Sequence, residues 1–116
     1  MIENIDVGID IVEINRFKRI NFKEKESFYK KIFTESEIKY CRKFEDDYRH
    51  FAGKFAVKEA VIKSINTKIK FLDIVTSNKK KKPMVKILQN NRYQFKVSIS
   101  HEEKSAIAIV ISEKIK

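Results

Sequence analysis

The chain has 116 residues, 42% of them hydrophobic, with two Gly, one Pro and a formal net charge of +10. That length supports one domain spanning residues 1–116 with a modest core, and so little Gly and Pro excludes a loop-rich or low-complexity chain. The lone Cys41 excludes an internal disulfide, no apolar run exceeds Ala106–Ile111, and the N-terminus lacks a basic segment followed by an apolar one, so a cytoplasmic protein with no membrane partner is expected.

Ile5, Val7, Ile9 and Ile11 alternate with Asp6, Gly8 and Asp10, the period of a half-buried strand with Asp10 on the face opposite the isoleucines. A short basic helix follows over Ile14 to Ile20. Thr34 and Glu37 form a capping box, with Phe33 and Ile38 spaced as a hydrophobic staple, and start a helix reaching about Lys43. Asp46 or Asp47 can cap the next and longest helix, which ends near Ile65 with Asn66 suited to a left-handed closing residue. Strands are predicted over Phe71 to Thr76 and Met84 to Leu88, joined by a turn holding Lys79 to Lys82 and Pro83. Tyr93, Phe95, Val97 and Ile99 alternate again and put His101 on their parity. After a turn at Glu102 to Lys104, Ser105 to Ile111 reads as a strand buried on both faces. The predicted class is α+β, with helices packed on a mainly antiparallel sheet.

On the long helix, Phe51, Ala52, Phe55 and Ala56 share a face with Glu59 and Lys63 at about 100° per residue. A carboxylate on such an apolar helix must be paired or bind a cation. The plain reading is an i,i+4 Glu59–Lys63 ion pair; the alternative is a metal site. Asp10 likewise reads either as an ordinary solvent-face acid or as the second carboxylate that Mg²⁺ sites typically take from protein. His101 is either a packed edge residue or a general base. Ser98 and Ser100 point to the other face from it, with no glycine-rich elbow around them, which disfavours a serine nucleophile. Cys41 has no nearby partner, and two His with one Cys give no zinc spacing. The Lys79 to Lys82 run is either a solvated turn or a phosphate holder.

Three blocks carry a resemblance. Gly8-Ile9-Asp10-Ile11-Val12-Glu13-Ile14, then Phe51-Ala52-Gly53-Lys54-Phe55-Ala56-Val57-Lys58-Glu59-Ala60 followed by Lys63, then Val97-Ser98-Ile99-Ser100-His101 are similar, in order and spacing, to the holo-acyl-carrier-protein synthases. The likeness spans essentially the whole chain. It implies Mg²⁺ held by Asp10 and Glu59, Lys63 near the phosphates of coenzyme A, and His101 beside the coenzyme. It also implies coenzyme contacts from Lys54, Lys82 and Pro83, and Arg16 touching the acyl carrier protein. Lys54 stands where the family usually has Arg, which turns a bidentate phosphate grip into a point charge. The family's Gly-Thr-Gly turn is here Asn66-Thr67-Lys68, its Gly-Lys-Pro is Lys81-Lys82-Pro83, and Glu102 replaces a small hydroxyl residue.

The expected reaction moves 4′-phosphopantetheine from coenzyme A to a serine of the apo carrier and releases adenosine 3′,5′-bisphosphate. Glu59, Lys63 and His101 are the catalytic candidates, and the proton acceptor stays open among a water at the metal, Glu59 and His101, the water being preferred. Carrier proteins of this kind are acidic, so the basic chain would steer them in. The family is homotrimeric with sites between subunits, which suits a thin core. A basic RNA-binding α+β module is the rival reading. The aromatic, glycine and basic signature of an RNA-recognition strand is absent from the chain, and no nucleic-acid partner is expected.

Overall fold

The computed structural model describes residues 2–115. In chain order the elements are β1 (Ile5–Glu13), α1 (Ile14–Arg19), α2 (Glu26–Ile32), α3 (Glu35–Cys41), α4 (Asp47–Ser64), a 3-10 turn (Phe71–Asp73), β2 (Ile74–Lys79), β3 (Lys82–Ile87), β4 (Tyr93–His101) and β5 (Ser105–Lys114). The strands form an antiparallel sheet in the order β1-β5-β4 and a separate β2-β3 hairpin. α4 lies across β1 and β5, so the predicted class of helices on a mainly antiparallel sheet holds.

α4 is buried without a break from Phe51 to Lys58, as its nearly all-round apolar pattern requires. Small residues let the sheet approach it. A Cβ on Gly8 would lie 1.9 Å from the Ala60 carbonyl oxygen, a distance no side chain tolerates, and Ala106 and Ala108 are fully buried in β5. The contact through Gly8 settles which face of β1 turns inward. Gly8, Asp10 and Val12 face the helix, while Val7, Ile9 and Ile11 are 54%, 58% and 64% exposed. The placement of Asp10 on a solvent face is thus corrected. β5 also differs from the expectation of two buried faces: Ala106, Ala108, Val110 and Ser112 are buried, but Ile109 and Ile111 stay 39% and 45% exposed. These outward residues pair across the strands, Val7 with Ile111, Ile9 with Ile109 and Ile11 with Ile107. One face of the sheet is therefore apolar and uncovered in the single chain.

Local signals placed some elements well and others poorly. Thr34 and Glu37 make the capping box, the Glu37 amide donating to Thr34 Oγ1 at 3.3 Å and the Thr34 amide to Glu37 Oε1 at 2.7 Å. Asp46 occupies the N-cap of α4 without a side-chain cap bond and instead sits 3.7 Å from Arg49 and His50. Ile65 ends that helix in an extended conformation, so Asn66 is not its left-handed closing residue. α2 lacks a side-chain cap and spans seven residues, too short for periodicity to reveal; its buried Tyr29 packs against Phe17, Phe33 and Phe51. Phe71–Asp73 is a 3-10 turn rather than strand, and the hairpin turn shrinks to Lys80-Lys81, with φ of 51° and 67°. Such two-residue turns fit the strand twist but ordinarily take Asn or Gly.

Beneath the hairpin lies a buried ion pair that the sequence pattern does not disclose. Lys58 Nζ is 2.7 Å from Glu37 Oε1, and both side chains are fully buried. Lys58 also donates to the carbonyls of Ile32 and Phe71, at 2.7 and 3.0 Å, which uses all three of its donors. Glu37 Oε2 accepts from the Thr76 amide at 2.8 Å and the Thr76 hydroxyl at 2.6 Å. Burial alone would raise the Glu37 carboxyl, but hydrogen bonds from Lys58 and Thr76, and attraction to Lys58, hold it below its usual value. Breaking such a pair by removing one partner typically costs about 3–5 kcal/mol, so the cluster locks α3, α4 and β2 together.

Candidate active site

The residues singled out by the sequence gather in two places. The first is the seam where β1 crosses α4. Asp10, brought inward by the Gly8 contact, and Glu59, the residue before Ala60, lie near enough there for the Asp10 charge to act on Glu59. Burial raises the Glu59 carboxyl above its usual value, and the Asp10 charge raises it further, while Lys63 and Arg16 oppose the rise. Lys63 does not form the i,i+4 ion pair with Glu59. Its Nζ bonds Asp10 Oδ1 at 3.2 Å and the Ile9 carbonyl at 3.1 Å. The plain reading of Glu59 therefore fails: Lys63 pairs with Asp10, and Glu59 has no ion-pair partner among the described residues. Arg16 stands at the edge of this seam, exposed, its guanidinium 5.2 Å from the centre of the Phe55 ring.

Hard oxygen ligands in a half-buried like-charged pair are what a small divalent cation requires, because the cation relieves the repulsion that lifts Glu59. Two carboxylates leave the rest of an octahedron to water and a phosphate-bearing substrate. The residues fit Mg²⁺ on that ground.

The second place is an open cavity of about 780 Å³ between α4, the β2-β3 hairpin and β4. Lys54, Lys82, Pro83 and His101 all line it, as do Lys81, Lys96 and His50, and among the described residues no carboxylate does. Of the Lys79 to Lys82 run, Lys81 and Lys82 reach the cavity wall while Lys79 and Lys80 do not. His101 keeps the parity of β4, and its ring lies over Gly53, where an added Cβ would come within 3.1 Å of Nε2. Burial, and then the charge of Arg49, lowers its pKa; burial also lowers that of His50. Both imidazoles are thus chiefly neutral at pH 7. A wall of lysines and neutral N–H donors without an opposing acid suits a polyphosphorylated ligand. Cys41 is fully buried, and burial pushes its thiol up to about 12, which removes it as a nucleophile.

Helix geometry separates the two places. Lys54 precedes Glu59 by five residues, about 140° around the helix at 3.6 residues per turn, so one helix serves the seam on one side and the cavity on another. His50, Thr76 and Lys96 were not singled out from the sequence. His50 lies one turn before Lys54 on α4 and shares its face, whereas Thr76 and Lys96 join the cavity through contacts between distant segments that no local spacing announces.

The model of the 4′-phosphopantetheinyl transferase superfamily matches residues 6–110. A holo-[acyl-carrier-protein] synthase of Halothermothrix orenii is 41% identical over 119 aligned residues, covering 92% of this chain and 95% of that protein. The holo-(acyl-carrier-protein) synthase of Bacillus anthracis in complex with CoA (3′,5′-ADP) superposes with a TM-score of 0.81 at 31% identity, over 94% of this chain and 96% of that one. The Helicobacter pylori enzyme in complex with coenzyme A gives a TM-score of 0.79 at 33% identity, over 92% of this chain and 99% of that one.

Proposed function

This chain belongs to the 4′-phosphopantetheinyl transferase superfamily, and from that membership we propose that it is a holo-acyl-carrier-protein synthase. It transfers 4′-phosphopantetheine from coenzyme A to a serine of an apo-acyl carrier protein and releases adenosine 3′,5′-bisphosphate. The single observation that carries the assignment of residues is the Asp10–Glu59 pair with Lys63 beside it.

Asp10 and Glu59 hold Mg²⁺, which supplies charge neutralisation and Lewis acidity at the coenzyme's pyrophosphate. Lys63 is tethered by the Ile9 carbonyl and Asp10, so its ammonium stays at the seam, where it offsets charge gathering on the departing phosphate. The serine hydroxyl attacks the pantetheine-side phosphorus, and its proton needs an acceptor. Glu59 and His101 are the candidate acceptors among this chain's own side chains. Lys54, Lys82, Pro83 and His101 bind the coenzyme in the lysine-lined cavity.

Because seam and cavity lie on different sides of α4, one site is completed by two copies of the chain. The exposed isoleucine face on β1 and β5 supports that assembly, since it is apolar, continuous and uncovered. The working unit is a homotrimer with sites between subunits. No helix among the described residues is long and apolar enough to cross a membrane.

Incubating the protein with an apo carrier, coenzyme A and Mg²⁺ and weighing the carrier tests the function directly. A gain of one phosphopantetheine group is expected, abolished by a chelator and restored by Mg²⁺. An unmodified carrier together with tight RNA binding would support the rival module instead.

Arg16 carries the carrier contact in this reading. Arg16→Glu is expected to lower transfer efficiency about tenfold at subsaturating carrier, with coenzyme binding within about twofold of wild type, since charge reversal repels an acidic surface. The deficit should narrow as salt rises, because exposed charges are screened beyond about 8 Å at physiological ionic strength. Kinetics over a salt series check this, and an equal loss of coenzyme affinity would remove Arg16 from the carrier surface.

A further inference from the structure

Two lysines and one carboxylate are buried together under the cavity. Lys54, Lys58 and Glu37 are 7%, 0% and 1% exposed; with both ammoniums protonated the cluster carries one positive charge in excess, and burial works against that charge by lowering the Lys54 pKa. Lys58 spends all three donors on Glu37, the Ile32 carbonyl and the Phe71 carbonyl. Lys54 is different. Among the described residues its ammonium has one hydrogen-bond acceptor, Thr76 Oγ1 at 3.0 Å, and it lies 4.8 Å from the centre of the Tyr40 ring. Two N–H donors remain free, at a residue that lines the cavity. Buried excess charge with unused donors calls for an anion.

The direction of the Thr76 hydroxyl follows from its partners. Glu37, held ionised by Lys58, can only accept, so the Thr76 O–H points to Glu37 Oε2, 2.6 Å away. That leaves the oxygen lone pairs toward Lys54. An apolar residue at position 76 would offer Lys54 nothing, and a hydroxyl without Glu37 could turn its hydrogen toward the ammonium. The backbone cooperates: the Thr76 amide also donates to Glu37 Oε2, which fixes the residue on β2 as well as its side chain.

We propose that Thr76, oriented by Glu37, is a positioning residue that fixes the Lys54 ammonium on the cavity floor to receive a phosphate of the coenzyme. The inference rests on the reading of this cavity as the coenzyme site. It gives the Glu37 cluster two tasks, with Lys58 locking the fold and Thr76 aiming Lys54. It also answers the departure from arginine at position 54. A point charge on a flexible stem has no geometry of its own, and here the neighbouring hydroxyl supplies one.

The test compares Thr76→Val, Thr76→Ser, Lys54→Met and the Lys54→Met/Thr76→Val double variant as intact assemblies. Titration calorimetry with coenzyme A and with adenosine 3′,5′-bisphosphate gives Kd, steady-state transfer gives KM and kcat, and thermal melting reports the fold. Thr76→Val is expected to raise Kd and KM for coenzyme A about tenfold, the scale of one charge-assisted hydrogen bond, with kcat at saturation changed by less than about twofold. Thr76→Ser should restore affinity. In the Lys54→Met background, Thr76→Val should have no further effect on Kd, because a residue acting through Lys54 has nothing left to act on. Thr76→Val that melts lower yet binds coenzyme like wild type would reduce Thr76 to a structural residue, and additive losses in the double variant would likewise overturn the proposal. If Thr76→Val does not fold, Thr76→Cys, whose thiol replaces the hydroxyl with a weak acceptor, carries the same expectation when compared with Thr76→Ser. Wild-type protein that binds neither ligand would overturn the functional reading and this proposal with it; wild-type binding with an unchanged variant overturns this proposal alone.

Discussion

Asp10→Ala and Glu59→Ala are each expected to lower phosphopantetheine transfer by at least about a hundredfold while the protein remains folded. The size follows from losing charge stabilisation at the reacting phosphates, where a single preorganised contact is commonly worth about a hundredfold to a thousandfold. The fold should survive because the pair stabilises nothing by itself. Glu59 has no ion-pair partner among the described residues, and the Asp10–Lys63 pair, whose lysine side chain is 52% exposed, contributes little. Glu59 has its folded-state pKa raised by burial and by Asp10. A raised carboxyl favours the folded state below its unfolded pKa, and that benefit is lost as pH rises through the folded value. At neutral pH the native chain therefore carries a penalty that Glu59→Gln removes. Without metal, Glu59→Gln should melt at or above the wild-type temperature at pH 7, the difference shrinking toward pH 4, while transfer stays near background. Carrier mass against time and thermal melts over pH check both halves. Substantial activity in Glu59→Gln would return Glu59 to a structural role.

The second large effect concerns assembly. Glu59→Ala protein mixed with Lys54→Met/His101→Ala protein, unfolded and refolded together, should regain activity that neither has alone at low coenzyme A. If each site takes its seam from one chain and its cavity from a neighbour, random mixing leaves about a quarter of sites intact, since each contributor is the right one half of the time. Asp10→Ala mixed with Glu59→Ala should regain nothing, because β1 and α4 of one chain bring both carboxylates together. Ile9→Glu places a charge in the middle of the bare isoleucine face, opposite Ile109, and is expected to yield a folded monomer with background activity. Light scattering at assay concentration decides the matter, and a fully active monomer would end the shared-site reading.

The sequence by itself determined what depends on near neighbours along the chain. The Thr34–Glu37 capping box, the parity that carries His101 along β4, the all-round burial of α4 and the α+β class are all local regularities. They were legible because helices and strands repeat side-chain direction with fixed periods. The motif blocks around Asp10 and Glu59 were legible too, as a resemblance. Tertiary structure alone decided which side of each element meets what. An alternating strand has two candidate inner faces, and for β1 the choice fell to Gly8, whose missing side chain lets the strand press against Ala60 and turns Asp10 inward with the isoleucines out. Lys63 left its helical neighbour for Asp10 on a strand more than fifty residues earlier, since that carboxylate is the nearer once the strand is in place. Glu37 reads as a cap residue, yet one oxygen serves the cap and Lys58 while the other reaches Thr76, across 39 residues of sequence. Periodicity reports direction around an axis; partners are set by how the axes are packed, and here a glycine and a row of alanines set that packing.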